Sequence, residues 1–68
     1  MLNIVNQYQV RPDHVSAVGN PYNPPNRRGV QAFDIYLLGG QTLTIMAADG
    51  TVLQQARDEV IRAVDNLP

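Results

Sequence analysis

The sequence lacks cysteine and lysine, and it contains a single histidine, His14. Without cysteine there are no disulfide bonds, and one histidine is too few for a zinc site of the usual kind. The same absences leave no thiolate nucleophile and no amine for a Schiff base, and the one serine stands in no nucleophile motif. We therefore expect a protein that is not an enzyme and that holds no metal and no cofactor.

The chain also lacks a strong excess of charge and a long apolar run. Its net charge is −1, whereas nucleic-acid-binding domains normally carry a basic excess. No stretch approaches the roughly 20 apolar residues of a transmembrane helix. Residues 1–10 lack the basic start and the apolar run of a signal peptide. These absences predict a cytoplasmic protein that binds neither nucleic acid nor a membrane.

What remains is a chain of 68 residues, enough for one domain with a thin core. Domains of this size are commonly supported by disulfides, by a metal or by a partner subunit. Because the first two are excluded, we expect a homo-oligomer. The five basic residues are all arginines, and the planar guanidinium group is favoured at interfaces.

Residue periodicity predicts an α+β fold, with a small antiparallel sheet of about four strands and one C-terminal amphipathic helix packed on one face. Thr51 and Gln54 fit a capping box at the start of that helix, and Asp49 is the competing N-cap. In chain order, we expect strands at about 2–10, 15–18, 30–38 and 42–47, a proline-rich loop at 19–29, and a helix at about 51–66.

The third and fourth strands flank Gly39-Gly40 and form the clearest hairpin signal. A two-residue turn would place the apolar sides of the two strands on opposite faces. A three-residue loop at 39–41 pairs Leu37 with Leu43 and Ile35 with Ile45, which aligns the apolar sides. We therefore predict a three-residue, bulge-type connection with a glycine at positive φ.

The opposite face of this hairpin carries only one charged residue, Asp34, and is otherwise apolar or threonine-rich. A sheet that is apolar on both sides needs cover on both sides, and one helix covers only one. A second copy of the chain is the simplest cover, and the alternative is a mixed surface that stays exposed. The predicted oligomer face consists of Tyr36, Leu38, Thr44 and Met46.

Two further segments have a binding and a purely structural interpretation. The 19–29 loop is either a connector or a binding loop that presents Tyr22, Arg27 and Arg28. On the helix, Arg57 and Ile61 are either a partner contact or core-edge residues, with the arginine stem lying along the apolar surface.

Four short segments resemble bacterial and phage proteins of the FlbD type. That resemblance implies a non-enzymatic accessory protein that works by binding, and it carries over no active-site residue. Small phage-encoded inhibitors of host systems share the same profile of size and missing catalytic groups. The segments are Pro-Asp-His-Val at 12–15, Leu-Leu-Gly-Gly at 37–40, Thr-Leu-Thr-Ile at 42–45 and Asp-Glu-Val-Ile at 58–61.

The leading hypothesis is a small homo-oligomeric binding protein, a phage or prophage accessory or inhibitor protein that occludes a host protein in the host cytoplasm. The alternative is a module that binds or sequesters a small anionic ligand such as a nucleotide. In that alternative, Arg27 and Arg28 hold the anion at a subunit interface while Tyr22 stacks on it.

Overall fold

The computed structural model describes residues 1–67 and contains two antiparallel sheets and one helix. The α+β class and the C-terminal helix are confirmed, but the expected single sheet is divided into one sheet of two strands and one of three. In chain order the elements are β1 (Leu2–Ile4), β2 (Tyr8–Val10), a 3-10 turn (Pro12–His14), β3 (Val15–Val18), β4 (Gln31–Leu37), β5 (Thr42–Ala47) and α1 (Gly50–Asp65).

The sheet is divided because residues 2–10 form a hairpin rather than one strand. Val5 and Asn6 adopt left-handed φ angles of 48° and 56°, so the chain reverses between β1 and β2. The reversal is closed by the Gln7 N–H, which donates to the Ile4 carbonyl at 2.8 Å. A left-handed valine is unusual, since its branched side chain crowds the backbone there, and period-2 alternation alone does not predict the turn.

The three-stranded sheet has the order β3-β4-β5. The Leu37 N–H donates to the Gln41 carbonyl at 2.8 Å, so the hairpin closes over a three-residue loop with Gly40 at a φ of 88°, which confirms the loop length and the left-handed glycine. The predicted pairing is wrong by two residues, because Leu43 lies opposite Ile35 rather than Leu37 and the loop is 38–40. A two-residue shift preserves side-chain alternation, so the apolar sides of both strands still share one face.

Helix α1 covers that apolar face. The carboxylate of Asp49 accepts the Thr51 backbone N–H at 2.8 Å, so Asp49 is the N-cap and the alternative capping box is not formed. Leu37, Leu43 and Val64 flank the core without being fully buried. The buried core combines three helix residues with the inward-facing residues of both sheets: Ile4, Val10, Phe33, Ile35, Ile45, Leu53, Ala56 and Val60.

Candidate binding surface

The side of the three-stranded sheet away from α1 carries the side chains of β4 and β5 that alternate with the core residues Phe33, Ile35 and Ile45. Directly opposite residues of antiparallel strands share a face, and the observed pairs place Ala17 beside Tyr36, Asp34 beside Thr44 and Ala32 beside Met46. We call this side the outer face. Its side chains are Ala17, Tyr22, Ala32, Asp34, Tyr36, Thr42, Thr44 and Met46.

Asp34 is the only charged residue on the outer face and lies near its centre. Thr44 donates its hydroxyl to Asp34 Oδ1 at 2.8 Å, and the Tyr22 hydroxyl donates to the same oxygen at 3.1 Å. The side chain is half-buried, and the only ion pair within residues 1–67 joins Arg11 to Asp13. Asp34 is therefore a fixed carboxylate without a cationic partner, with both donors on one oxygen.

Tyr22 reaches the outer face because the start of the 19–29 loop folds back along β4. Its backbone N–H donates to the Ala32 carbonyl at 2.8 Å, and the Ala32 N–H donates to the Tyr22 carbonyl at 2.9 Å. Partial burial of the ring, together with the hydrogen bond and the negative charge of Asp34, raises the pKa of the Tyr22 hydroxyl above its ordinary value. A raised pKa keeps this hydroxyl protonated, so it remains a donor to Asp34.

Arg57 fixes the same part of the loop from the helix side. Its Nε donates to the Gly19 carbonyl at 2.9 Å, and one terminal nitrogen donates to Asn20 Oδ1 at 3.2 Å. The Gly19 N–H donates to the Asp34 carbonyl at 2.8 Å. Arg57, predicted as a partner contact or a core-edge residue, thus makes contacts within its own chain, and Ile61 is half-buried outside the core cluster.

The predicted oligomer face is split between the outer face and the adjoining turn. Tyr36 is 42% exposed on the outer face, and Leu38 is 68% exposed in the β4–β5 loop. Thr44 and Met46 are half-buried; Thr44 donates a hydrogen bond to Asp34, and Met46 lies opposite the buried Ala32. The Met46 carbonyl also accepts a hydrogen bond from the Gln7 side chain at 2.7 Å.

Arg27 and Arg28 lie apart from Tyr22, with which the sequence grouped them. They occupy the tip of the loop between two left-handed residues, Asn26 at a φ of 67° and Gly29 at a φ of 73°. Both arginines are exposed and form no ion pair within the described chain. With Asn23, Gly29, Val30, Gln31, Ala48 and Gly50, they line an open cleft of about 510 Å³ beside the start of α1.

Three residues of the predicted oligomer face, Tyr36, Thr44 and Met46, lie on the outer face, but the prediction did not identify Asp34 as its organising group. The available signal was a single carboxylate among uncharged residues on one strand face. Gly19 lies beside the same groups, where a side chain would begin at ordinary contact distance, 3.4 Å from the Asp34 carbonyl and 3.7 Å from the Tyr36 ring.

The hydrogen-bond partners of Asp34 and the metal-ligating side chains of the described residues define the chemistry of this face. Asp34 bonds a phenol and an alcohol and has no histidine or second carboxylate among its hydrogen-bond partners. Across residues 1–67, no three metal-ligating side chains come together. In the same part of the chain, no helix combines the length and the apolar character that crossing a bilayer requires.

Comparisons of the chain with protein-family models, with curated proteins and with solved structures give no match. Inferences about function therefore depend on the chemistry of the outer face and of the arginine-lined cleft.

Proposed function

We propose that this protein is a non-enzymatic binding protein that self-associates through the outer face of its three-stranded sheet and acts by occluding a protein partner. The observation that carries the proposal is the contrast between the two sides of that sheet. One side is sealed by α1, whereas the other presents Tyr22 and Tyr36 at 40% and 42% exposure around a single carboxylate. Exposed aromatic side chains are typical anchors of protein interfaces.

The small size of the domain supports the same proposal. Within residues 1–67 the buried core holds eight side chains, and domains of this length have a narrow margin of stability. Covering the outer face with a second copy would add apolar burial that one chain cannot provide. We retain the FlbD-type resemblance, a phage accessory or inhibitor role and a cytoplasmic setting as parts of this proposal.

The proposal is tested by placing a new charge on the outer face. Tyr36→Glu adds a second carboxylate beside Asp34 at a position that the monomer leaves exposed, so folding should be retained while self-association is weakened. Gln55→Glu makes a similar change on the exposed side of α1 and is the control.

Light scattering coupled to size exclusion should show an oligomer for the wild type and for Gln55→Glu, and a monomer for Tyr36→Glu. An oligomer that is equally stable in all three proteins would contradict the use of the outer face.

A second candidate function is the binding of a small anion by Arg27 and Arg28. The observation that favours it is the composition of their cleft. Among the described residues, its two guanidinium groups form no ion pair, they lie beside the polar side chains of Asn23 and Gln31, and the lining contains no acidic residue. Planar guanidinium groups suit phosphate. Because Tyr22 does not line this cleft, the stacking role proposed for it is left out.

Thermal unfolding with inorganic pyrophosphate or ATP as the probe tests this second function. The wild type should gain stability on adding the probe, and the Arg27→Ala/Arg28→Ala double variant should lose that gain. Arg62→Ala, on the exposed side of α1, is the control and should respond as the wild type does. An equal shift in all three proteins would place the anion elsewhere.

A further inference from the structure

The described chain contains unpaired charges of both signs at the two places where binding is proposed. Asp34 has no cationic partner, and Arg27 and Arg28 have no acidic partner. Asp34 lies within an otherwise uncharged face, and both arginines are exposed at the tip of the loop that precedes β4, beside the start of α1. These charges are complementary, but no contact within the described chain joins them.

We infer that the arginine loop of a second copy supplies the cation for Asp34, so that two copies packed through their outer faces exchange reciprocal Arg–Asp contacts. This inference rests on the proposed self-association and assigns the contact that directs it. A face-to-face arrangement centred on Asp34 would instead bring two partly desolvated carboxylates together, which like-charge repulsion disfavours. The pairing therefore selects a packing that is offset along the strands.

The order of residues along β4 provides such an offset. Asp34 lies two positions after Ala32, or about 7 Å at the usual rise of a strand. On the other side of Ala32, the chain leads back through Gln31 and Val30 to the arginine loop. In the arrangement that we infer, a two-fold axis lies over Tyr22, Ala32 and Met46, and the arginine loop of each copy extends past the end of the sheet to Asp34 of the other, so that both contacts form at once.

The surroundings of Asp34 suit a guanidinium group. Tyr22 and Thr44 both donate to Oδ1, so the second carboxylate oxygen has no donor among the described residues. Tyr36 follows Asp34 by two positions along β4, and Tyr22 lies opposite Ala32, two positions before Asp34, so the two tyrosines lie on either side of the carboxylate. Arginine stacks on aromatic rings while its nitrogens bond a carboxylate. A carboxylate between two tyrosines therefore suits an arginine side chain better than an uncharged side chain of similar size.

Charge reversal on both sides of the contact tests the inference. Asp34→Arg places like charges together in a homo-oligomer, and so does the Arg27→Asp/Arg28→Asp double variant. Each variant should associate at least tenfold more weakly than the wild type in sedimentation velocity. An equimolar mixture of the two should recover association, because both reciprocal contacts then join opposite charges.

Two controls keep this result interpretable. Asp34→Asn retains an oxygen for Tyr22 and Thr44 while removing the charge, so it should fold normally and still weaken association. Arg62→Glu reverses a charge on the exposed side of α1 and should leave association unchanged. Circular dichroism of each variant separates loss of folding from loss of contact.

The outcomes separate the inference from the proposed function. A wild type that stays monomeric overturns both. A wild type that associates, with variants that associate equally well, overturns the inference alone and directs attention to another contact, such as edge-to-edge pairing through β5. Folded variants that are weakened singly but not rescued by mixing also overturn the reciprocal contact. The reciprocal contact is supported if association recovers only when the two charge-reversed variants are mixed, and if Arg62→Glu associates as the wild type does.

Discussion

The two sides of the three-stranded sheet are built from the same strands but differ in what organises them. On the core side, Phe33, Ile35 and Ile45 are completely buried and belong to the apolar cluster that includes three residues of α1. On the outer side, tyrosine and threonine hydroxyls converge on the Asp34 carboxylate. The core side is specified by volume and hydrophobicity, whereas the outer side is specified by directed hydrogen bonds around one charge.

This difference predicts that substitutions on the two sides change different properties of the protein. Apolar packing tolerates a change of partner as long as shape is retained, while a hydrogen-bonded carboxylate fixes which groups can meet it. We therefore expect core-side substitutions to change the free energy of unfolding. Outer-side substitutions should change self-association and the pKa of Tyr22, with small effects on the free energy of unfolding.

The largest effect is expected from Phe33→Ala. Truncating a fully buried phenylalanine leaves a cavity and typically costs about 3–5 kcal/mol, which is a large share of the stability of so small a domain. Tyr36→Ala on the outer side of the same strand should cost no more than about 1 kcal/mol, because its ring is exposed. Urea unfolding of both variants under monomeric conditions measures the contrast. Equal losses would remove the distinction between the two sides.

Arg57→Ala should have an intermediate effect. It removes two hydrogen bonds from a charged donor that hold the loop at Gly19 and Asn20 against the helix, for which we expect a loss of about 1.5–3 kcal/mol. The matched control is Arg62→Ala on the exposed side of the same helix, expected to lie within about 0.5 kcal/mol of the wild type. Chemical denaturation provides both values. A loss no greater than that of the control would show that the loop is held by other contacts.

A smaller effect is expected from Thr44→Val. The substitution keeps the branched shape that suits a strand but removes the hydroxyl that donates to Asp34, and the expected loss is about 1 kcal/mol. Thr42→Val is a close control, since Thr42 is on the same face and strand and makes no side-chain hydrogen bond among the described residues. If both variants unfold alike, the bond to Asp34 does not contribute to folding.

The smallest effect concerns alkaline pH. The pKa of Tyr22 is raised above its ordinary value of 10.0 by partial burial and by Asp34, so the folded chain holds this proton more tightly than the unfolded chain. Its contribution to stability is complete below the unfolded pKa and is lost as the pH rises through the folded pKa. Unfolding midpoints above pH 10 should therefore fall more steeply for the wild type than for Tyr22→Phe.

Ultraviolet titration should also show a lower Tyr22 pKa in Asp34→Asn, since the carboxylate charge is then absent. An unchanged Tyr22 titration in that variant would mean that Asp34 does not influence the hydroxyl.

Much of the fold is readable from the sequence because its determinants are local. Alternation at 30–47 and the helical period after Asp49 predict β4, β5 and α1, and the glycine pair predicts a left-handed loop residue. The division of residues 2–10 was not predictable from the same rules, because its turn places a valine in a conformation that valine rarely adopts.

The candidate site was less predictable because it depends on register and on long-range contacts. The expected register places Asp34 opposite Met46, whereas the observed register places it opposite Thr44, whose hydroxyl it accepts. Both registers align the apolar faces, so burial alone does not choose between them. The return of Tyr22 to Ala32 likewise joins distant segments through backbone hydrogen bonds, for which side-chain patterns give no signal.

Three tyrosines of similar exposure provide the most direct test of the outer face as the surface of self-association. Tyr22 and Tyr36 lie on that face, while Tyr8 lies on the N-terminal hairpin. We predict that the ring resonances of Tyr22 and Tyr36 shift together as the protein is diluted through its association range, and that those of Tyr8 stay fixed. Concentration-independent shifts for all three rings, or movement of Tyr8 alone, would contradict the account.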